Sequence, residues 1–270
     1  MGSASSKILI VPNLKTSSVK ASRIIQSGEY VEKIFLPEPE GLEPWIKAYG
    51  RERISYEDFV GRVRDSGLIP EPLESWLYTF EPILMGISQV LRQNKALDIF
   101  CYKDAEGLER ASRFSSEIAL LTYRSNVSGR INIDDWIHTV SEYVVGSEDV
   151  LLREAQRIIA TAGDSGNIII SGLAGKELKR LLSGSLNIQL QCVEKFYHFT
   201  PIEILQTVIV GGNIDRCYVE SLVRCHLEYV NRYVLRSWNR DVAYYRWVYD
   251  KIPHLRSCIR EFEIEELKVL

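Results

Sequence analysis

The chain predicts an α/β protein: a mostly parallel sheet covered by helices over residues 7–199, followed by a C-terminal helical unit over residues 200–270. Three observations carry this expectation. The apolar runs KILIVP, VEKIFL, ALDIFCYKD, NIIIS and NIQLQCVEKF alternate with segments of helical period, the pattern of strands joined by crossover helices. The strand runs are apolar along their length rather than alternating, as strands buried on both faces require. Beyond Thr200 the runs stop and long helical patterns replace them.

The elements follow in order. KILIVP (7–12) ends at a proline, and TSSVKASRIIQSG then opens on Thr16, Ser17 and Ser18 and closes at Gly28, the cap and the breaker of a helix. VEKIFLPEPEGLEP supplies a second strand over 32–36 that runs into a proline-rich acidic loop. The handedness rule expects this strand to pair in parallel with the first through a right-handed crossover. Residues 45–79 read as short helices divided by Gly50, Gly67, Pro70 and Pro72, a helical insertion that could cover the mouth of the sheet. FEPILMGISQVLRQN (80–94) reads as a helix opening at Glu81 and Pro82, where a carboxylate favours the helix dipole and a missing N–H costs nothing. It leads to a third strand over 96–104.

AEGLERASRFSSEIALLTYRSN is helical, and INIDDWIHTVSEYVVGSEDVLLREAQRIIATAG adds two helices, with Asp134 as an N-cap. NIIIS and GKELKRLLSG are the fourth strand and its helix, and residues 187–196 the fifth strand. Thr200 caps a helix whose first residue is Pro201, after which one or two long helices complete the chain. The boundary of the helical unit falls just before Pro201 or near Gly211 and Gly212.

Composition narrows the class. With 270 residues, 46% of them hydrophobic, the chain can bury one large core or a core plus a smaller appended unit. Its 33 basic and 36 acidic residues leave a net charge of −3, so no global field draws it to nucleic acid or to an anionic membrane. Five scattered cysteines without a Cys-x-x-Cys spacing suit a reducing cytosol. No run of apolar residues is long enough to span a bilayer and no signal-peptide core is evident, so a cytoplasmic location away from membranes is expected. Two methionines beside many Arg, Glu and Ile lean toward a thermophilic source.

In a parallel sheet the functional edge lies beyond the strand C-termini. The residues expected there are Asn13, Lys15, Thr16 and Ser17 after the first strand, and Glu38 and Glu40 after the second. Lys103, Asp104 and Glu106 follow the third, and Ser171, Lys176 and Glu177 the fourth. Carboxylates, lysines and hydroxyls converging on one crevice can perform acid–base work or hold an anion. GLAGKEL is not a phosphate loop, because Gly172 and Gly175 are only three residues apart. None of His138, His198, His226 and His254 belongs to a metal-binding spacing, and only His198, after the fifth strand, is kept as a candidate.

The C-terminal segment carries Arg216, Glu220, Arg224, Glu228, Arg232, Arg236 and Arg240 at intervals of four, a row suited to ion pairs along a solvated helix face. Tyr233, Trp238, Tyr244, Tyr245, Trp247 and Tyr249 interleave its later part. Such a face can pack on the α/β domain or make a homodimer. Nucleic acid, stacked and charge-paired, is the second reading of the same residues.

The order of ILIVPNLKTSSVKASRII, KIFLPEPEGLEP, FEPILMGISQVLRQNKALDIFCYKD and REAQRIIATAGDSGNIIISGLAGKELKRLL resembles the TraB, ChaN and erythromycin-esterase-like superfamily over about two-thirds of the chain. The resemblance implies hydrolase or metal-dependent peptidase chemistry, as in some members, or haem binding, as in others. Glu38 or Glu40, and Glu81, match its acidic positions. Its histidines have no counterpart: Asn13, Leu14 and Lys15 stand where one is expected, and Gly175 and Lys176 where another is. The expected site therefore comprises Glu38, Glu40 and Glu81 as acid–base or metal-binding carboxylates. Lys15 and Lys176 would hold an anion, with Asn13, Thr16, Asp104 and Ser171 around a small anionic or peptide-like ligand. Catalysis, and any metal or haem, stay open, and a non-catalytic interaction protein using the C-terminal helix is the alternative.

Overall fold

A computed structural model describes residues 6–27, 31–163, 166–212 and 214–258; Gly28, expected as a helix breaker, lies outside these. Two compact units emerge. The first runs through Glu109 and resumes over Glu148–Lys195; the second comprises Arg110–Ser147 and the chain from Phe196 onward. This differs from a single cut near residue 200, because residues 110–147 make their contacts with the C-terminal helices.

The first unit is α/β. Its strands β1 (Ser6–Ile10), β2 (Lys33–Pro39), β3 (Asp98–Lys103), β4 (Asn167–Ser171) and β5 (Ile188–Cys192) form one parallel sheet in the order β3-β2-β4-β1-β5. The expected pairing of the first two strands does not occur, because β4 lies between them. The reason is burial: every residue of β4 is buried, and a strand apolar on both faces belongs at the centre. β5, with its exposed glutamines, takes one edge.

Successive residues of each strand feed opposite layers. Leu9, Ile34, Leu36, Ile99, Ile168 and Ile170 face a core shared with α1 (Lys15–Ser27), α2 (Glu43–Gly50), α3 (Tyr56–Ser66) and α4 (Leu73–Gln93). Ile8, Ile10, Phe35 and Ile169 face α7 (Ser147–Ala162) and α8 (Gly175–Leu182). Right-handed crossovers running in opposite directions from the centre produce two such layers. The helices over 43–93 thus form a face of the fold rather than a cover over its mouth. α4 begins at Leu73, so Glu81 and Pro82 lie inside the helix and not at its start. Gly86 lets α4 cross α1 closely, since a Cβ there would collide with Ser22.

The open edge of β3 is closed by side chains. Glu43 Oε2 accepts the Cys101 N–H at 3.0 Å and Asp98 Oδ1 the Ile99 N–H at 2.9 Å. Lys47 then joins the two carboxylates at 2.9 and 2.8 Å. The outward N–H groups of Ile99 and Cys101 are thereby withheld from another strand.

The second unit is helical. α5 (Ala105–Ser128) begins in the first unit and enters this one at Arg110; α6 (Ile133–Val145), α9 (Pro201–Val210), α10 (Arg216–Arg232) and α11 (Arg240–Lys251) follow. Ile118, Leu121, Trp136, Val140, Leu205, Val219 and Val223 form its core. Pro201 opens α9 as expected, with the Thr200 N–H donating to Glu203 at 2.7 Å. Asn132 precedes α6, which places Asp134 in the first turn rather than at the cap.

Candidate functional site

The C-terminal ends of β2, β3 and β4 gather the ionisable groups of the first unit. β2 lies inside the sheet, and its prolines Pro37 and Pro39 cannot donate to a ladder. Pairing with β4 ends at Phe35, and the register with β3 shifts between Leu36 and Pro39. Glu38 sits in this irregularity and is 7% exposed. Its Oε2 accepts the indole N–H of Trp76 at 2.8 Å, and Trp76 is in turn stacked on Phe80. Burial pushes the Glu38 carboxyl up to about 8, against the Trp76 hydrogen bond and the Lys103 charge, which both favour the ionised form.

β3 ends in Tyr102 and Lys103, and Asp104 turns the chain into α5. Lys103 Nζ lies 3.3 Å from Glu154 Oε1, and the same oxygen accepts the Asp104 N–H at 3.3 Å. Arg153 donates to Asp104 at 3.0 Å and to Glu106 at 2.6 Å. Arg157 reaches Glu40 at 3.1 Å and Asp104 at 3.8 Å. Burial raises the Asp104 carboxyl, but Arg153, the Glu106 N–H and Arg157 outweigh it and hold the group below its ordinary range. The Tyr102 hydroxyl donates to the Ile170 carbonyl at 2.7 Å and is hydrogen-bonded by Ser171. A cavity of about 420 Å³ opens beside these groups, lined by Phe35, Glu40, Phe100, Cys101, Tyr102 and Arg157 among others. That size suits a small organic ligand. Glu38 acts through space on Cys101 and Tyr102, both of which line it.

Of the residues expected at the site, Glu38, Glu40, Lys103, Asp104, Glu106 and Ser171 lie along these strand ends; Glu40 lines the cavity, whereas Glu38 turns toward Trp76. Glu81 does not join them. It lies on α4, hydrogen-bonded to Tyr56, whose phenol is pushed up to about 12 by burial and then by Glu81. Asn13 is exposed, Thr16 half-buried, and Lys15 stands 5.8 Å from the Tyr78 ring centroid. Ser17 is taken by Glu194, which accepts its hydroxyl at 3.1 Å and pairs with Lys20 at 2.7 Å. Lys176 is exposed in the first turn of α8, and Glu177 pairs with Arg180. Gly175 serves packing, because a Cβ there would lie 2.7 Å from Ile10.

His198 belongs to the second unit, where its backbone exchanges hydrogen bonds with the Tyr244 hydroxyl. The arginine row is broken at the end of α10. Arg216 pairs with Asp134, Arg224 with Glu220 and Arg232 with Glu228. Tyr229, Tyr233, Tyr244 and Trp247 are buried in that unit, whereas Trp238 is exposed.

Trp76, Arg153, Glu154 and Arg157 complete the site without having been expected there. One signal existed for α7: Val150, Glu154, Ile158 and Ala162 form a buried stripe, and a carboxylate within an apolar stripe calls for a partner. No such signal marks Trp76, which reads as an ordinary core aromatic.

Among the described residues no group of three or more His, Cys, Asp or Glu side chains is arranged to hold a metal ion, and no helix is long and apolar enough to cross a membrane. Comparison with protein-family models, with curated proteins and with solved structures gives no match.

Proposed function

We propose that the first unit is an acid–base enzyme of hydrolase type, divergently TraB/ChaN-like, with Glu38 as its proton-holding group. The carrying observation is Glu38 itself, a buried carboxyl bonded by Trp76 whose proton affinity is brought near neutrality. A group so tuned both gives and takes a proton at working pH. The indole occupies Oε2 and leaves Oε1 to carry the proton. With Glu38 protonated, the four carboxylates Glu40, Asp104, Glu106 and Glu154 still outnumber their partners Lys103, Arg153 and Arg157. That surplus favours a neutral or peptide-like ligand over an anionic one. The free thiols Cys101, Cys192, Cys217 and Cys225 agree with a cytoplasmic setting.

A panel of short peptides and activated esters, assayed with wild type and Glu38→Gln, tests the reading. Turnover by wild type that Glu38→Gln lowers by about 100-fold or more supports it; equal turnover by the two proteins rejects it.

A second reading is favoured by one feature of the helical unit. Leu235 and Trp238 are 72% and 62% exposed, with Arg246 set over the Trp238 ring. An exposed indole beside a cation suits a protein interface, including a homodimer. Sedimentation of wild type against Trp238→Ser distinguishes it: equal masses at all concentrations exclude self-association through this residue.

A further inference from the structure

One buried carboxylate holds the turn from β3 into α5. Glu154 is 2% exposed, and Oε1 binds both the Lys103 ammonium and the Asp104 N–H. The first turn of α5 makes room for this approach through Gly107, where a Cβ would lie 2.7 Å from Val150 of α7. An apolar residue would suit the α7 stripe better, since a buried carboxylate costs stability unless it is paired. The ammonium it captures is the same cation that attracts Glu38. Lys103 lies within ion-pair distance of Glu154 and not of Glu38.

We infer that Glu154 is a positioning residue: it ties Lys103 to the α7 side of the turn, so that the ammonium attracts Glu38 through space without pairing with it. Glu154 thereby sets the charge that the proposed acid–base group meets. The groups facing Glu38 are Trp76 from α4 and Lys103, Cys101 and Tyr102 from β3; Lys103, Asp104 and Tyr102 face Glu154. Arg153 and Arg157, on the same helix as Glu154, are engaged by Asp104, Glu106 and Glu40. Tyr102 also faces both carboxyls, but its hydroxyl is uncharged and donates to the Ile170 carbonyl, so Lys103 is the charged route by which Glu154 acts on Glu38.

The inference rests on the reading of Glu38 above, and its test does not use activity. The Trp76 indole N–H gives one of five tryptophan side-chain signals in a nitrogen-15 spectrum, assigned by its loss in Trp76→Phe. Because it donates to Glu38, its shift follows Glu38 ionisation, and Glu38→Gln must abolish the titration. In Glu154→Gln, which keeps an acceptor for Asp104, the freed ammonium pairs with Glu38. The titration then moves to lower pH, with proton affinity falling about tenfold. In a Lys103→Met background, Glu154→Gln moves it little.

An unmoved midpoint in Glu154→Gln, or an equal shift without Lys103, overturns the role of Glu154. An indole signal that does not titrate in wild type overturns the reading of Glu38 as well, so the two failures are distinct. If Glu154→Gln does not fold, Glu154→Asp withdraws the carboxylate from Lys103 by one methylene and is judged by the same shift.

Discussion

The indole nitrogen of Trp76 stands 2.8 Å from Oε2 of Glu38, joining the first turn of a face helix to the irregular end of an internal strand. A donor aimed at a buried carboxylate favours its ionised form, yet burial dominates and Glu38 holds its proton up to about pH 8. The folded carboxyl therefore binds its proton more tightly than the unfolded one. Between the ordinary carboxylate range and about pH 8, the folded state carries a proton that the unfolded state lacks. This contribution is fully present at acid pH and is lost as pH rises, by about 1.4 kcal/mol per pH unit across that window. Glu38→Gln removes the titration. Above about pH 6.5, where the opposing contribution of His226 is complete, stability of the variant measured by urea unfolding should be flat where wild type declines, and a wild-type slope retained there would contradict the assignment.

His226 is governed by the opposite sign. It is buried in the helical unit with its ring 5.6 Å from that of Trp136, and burial depresses its pKa to about 4. Thr122 donates to the Ile118 carbonyl at 2.7 Å, so toward His226 Nε2, 3.2 Å away, it acts as acceptor. The ring thus carries its proton on Nε2. On acidification below about 6.5 the unfolded histidine takes up a proton that the folded one refuses, and stability is lost by about 1.4 kcal/mol per pH unit down to about pH 4. His226→Phe should flatten this acid limb, read through Trp136 fluorescence. An acid limb identical to wild type would mean that other groups cause it.

The sequence makes the α/β class and the existence of five strands legible because the strand runs are apolar and bounded by turn residues. NIIIS is the clearest case, and β4 spans the same residues, Asn167–Ser171. Strand order is less legible: local pattern cannot show that β4, distant in sequence, enters between β1 and β2. Pro82 misleads because the preference of proline for a helix start is overridden when a helix is packed on both sides of it, here by Phe80, Ile83 and Leu84. The site is half legible for a related reason. Glu38, Asp104 and Ser171 are announced by their places at strand ends, whereas Trp76, Glu154 and Arg157 reach that edge from helices, and only tertiary packing brings them there.

The crossing of α1 and α4 depends on Gly86. A methyl group there would strike the Ser22 side chain and come within 3.2 Å of the Ser22 Cα. Backbone atoms cannot swing aside as a flexible side chain can, so the helices must separate. Gly86→Ala gains helix propensity but overpacks the contact, and a net loss of about 1–3 kcal/mol is expected. Gly172→Ala, where a Cβ meets open space, is the control and should stay within about 0.5 kcal/mol of wild type. Thermal unfolding of the pair checks this, and equal midpoints would show that α1 and α4 have slack at their crossing.

The Glu43–Lys47–Asp98 arrangement predicts how the sheet resists association. β3 is an edge strand, and its outward Cys101 N–H is occupied by a carboxylate that a lysine holds in place. Removing that carboxylate leaves a part-buried donor unpaired, at a cost of about 1–3 kcal/mol, and exposes a template for strand addition. Glu43→Ala should therefore speed amide exchange at Cys101 by about tenfold or more while leaving Ile169, in the central strand, unchanged. It should also make light scattering rise with protein concentration. Wild-type exchange at Cys101 together with a monodisperse variant would show that the edge is shielded by the neighbouring helix α2 and not by its charged clamp.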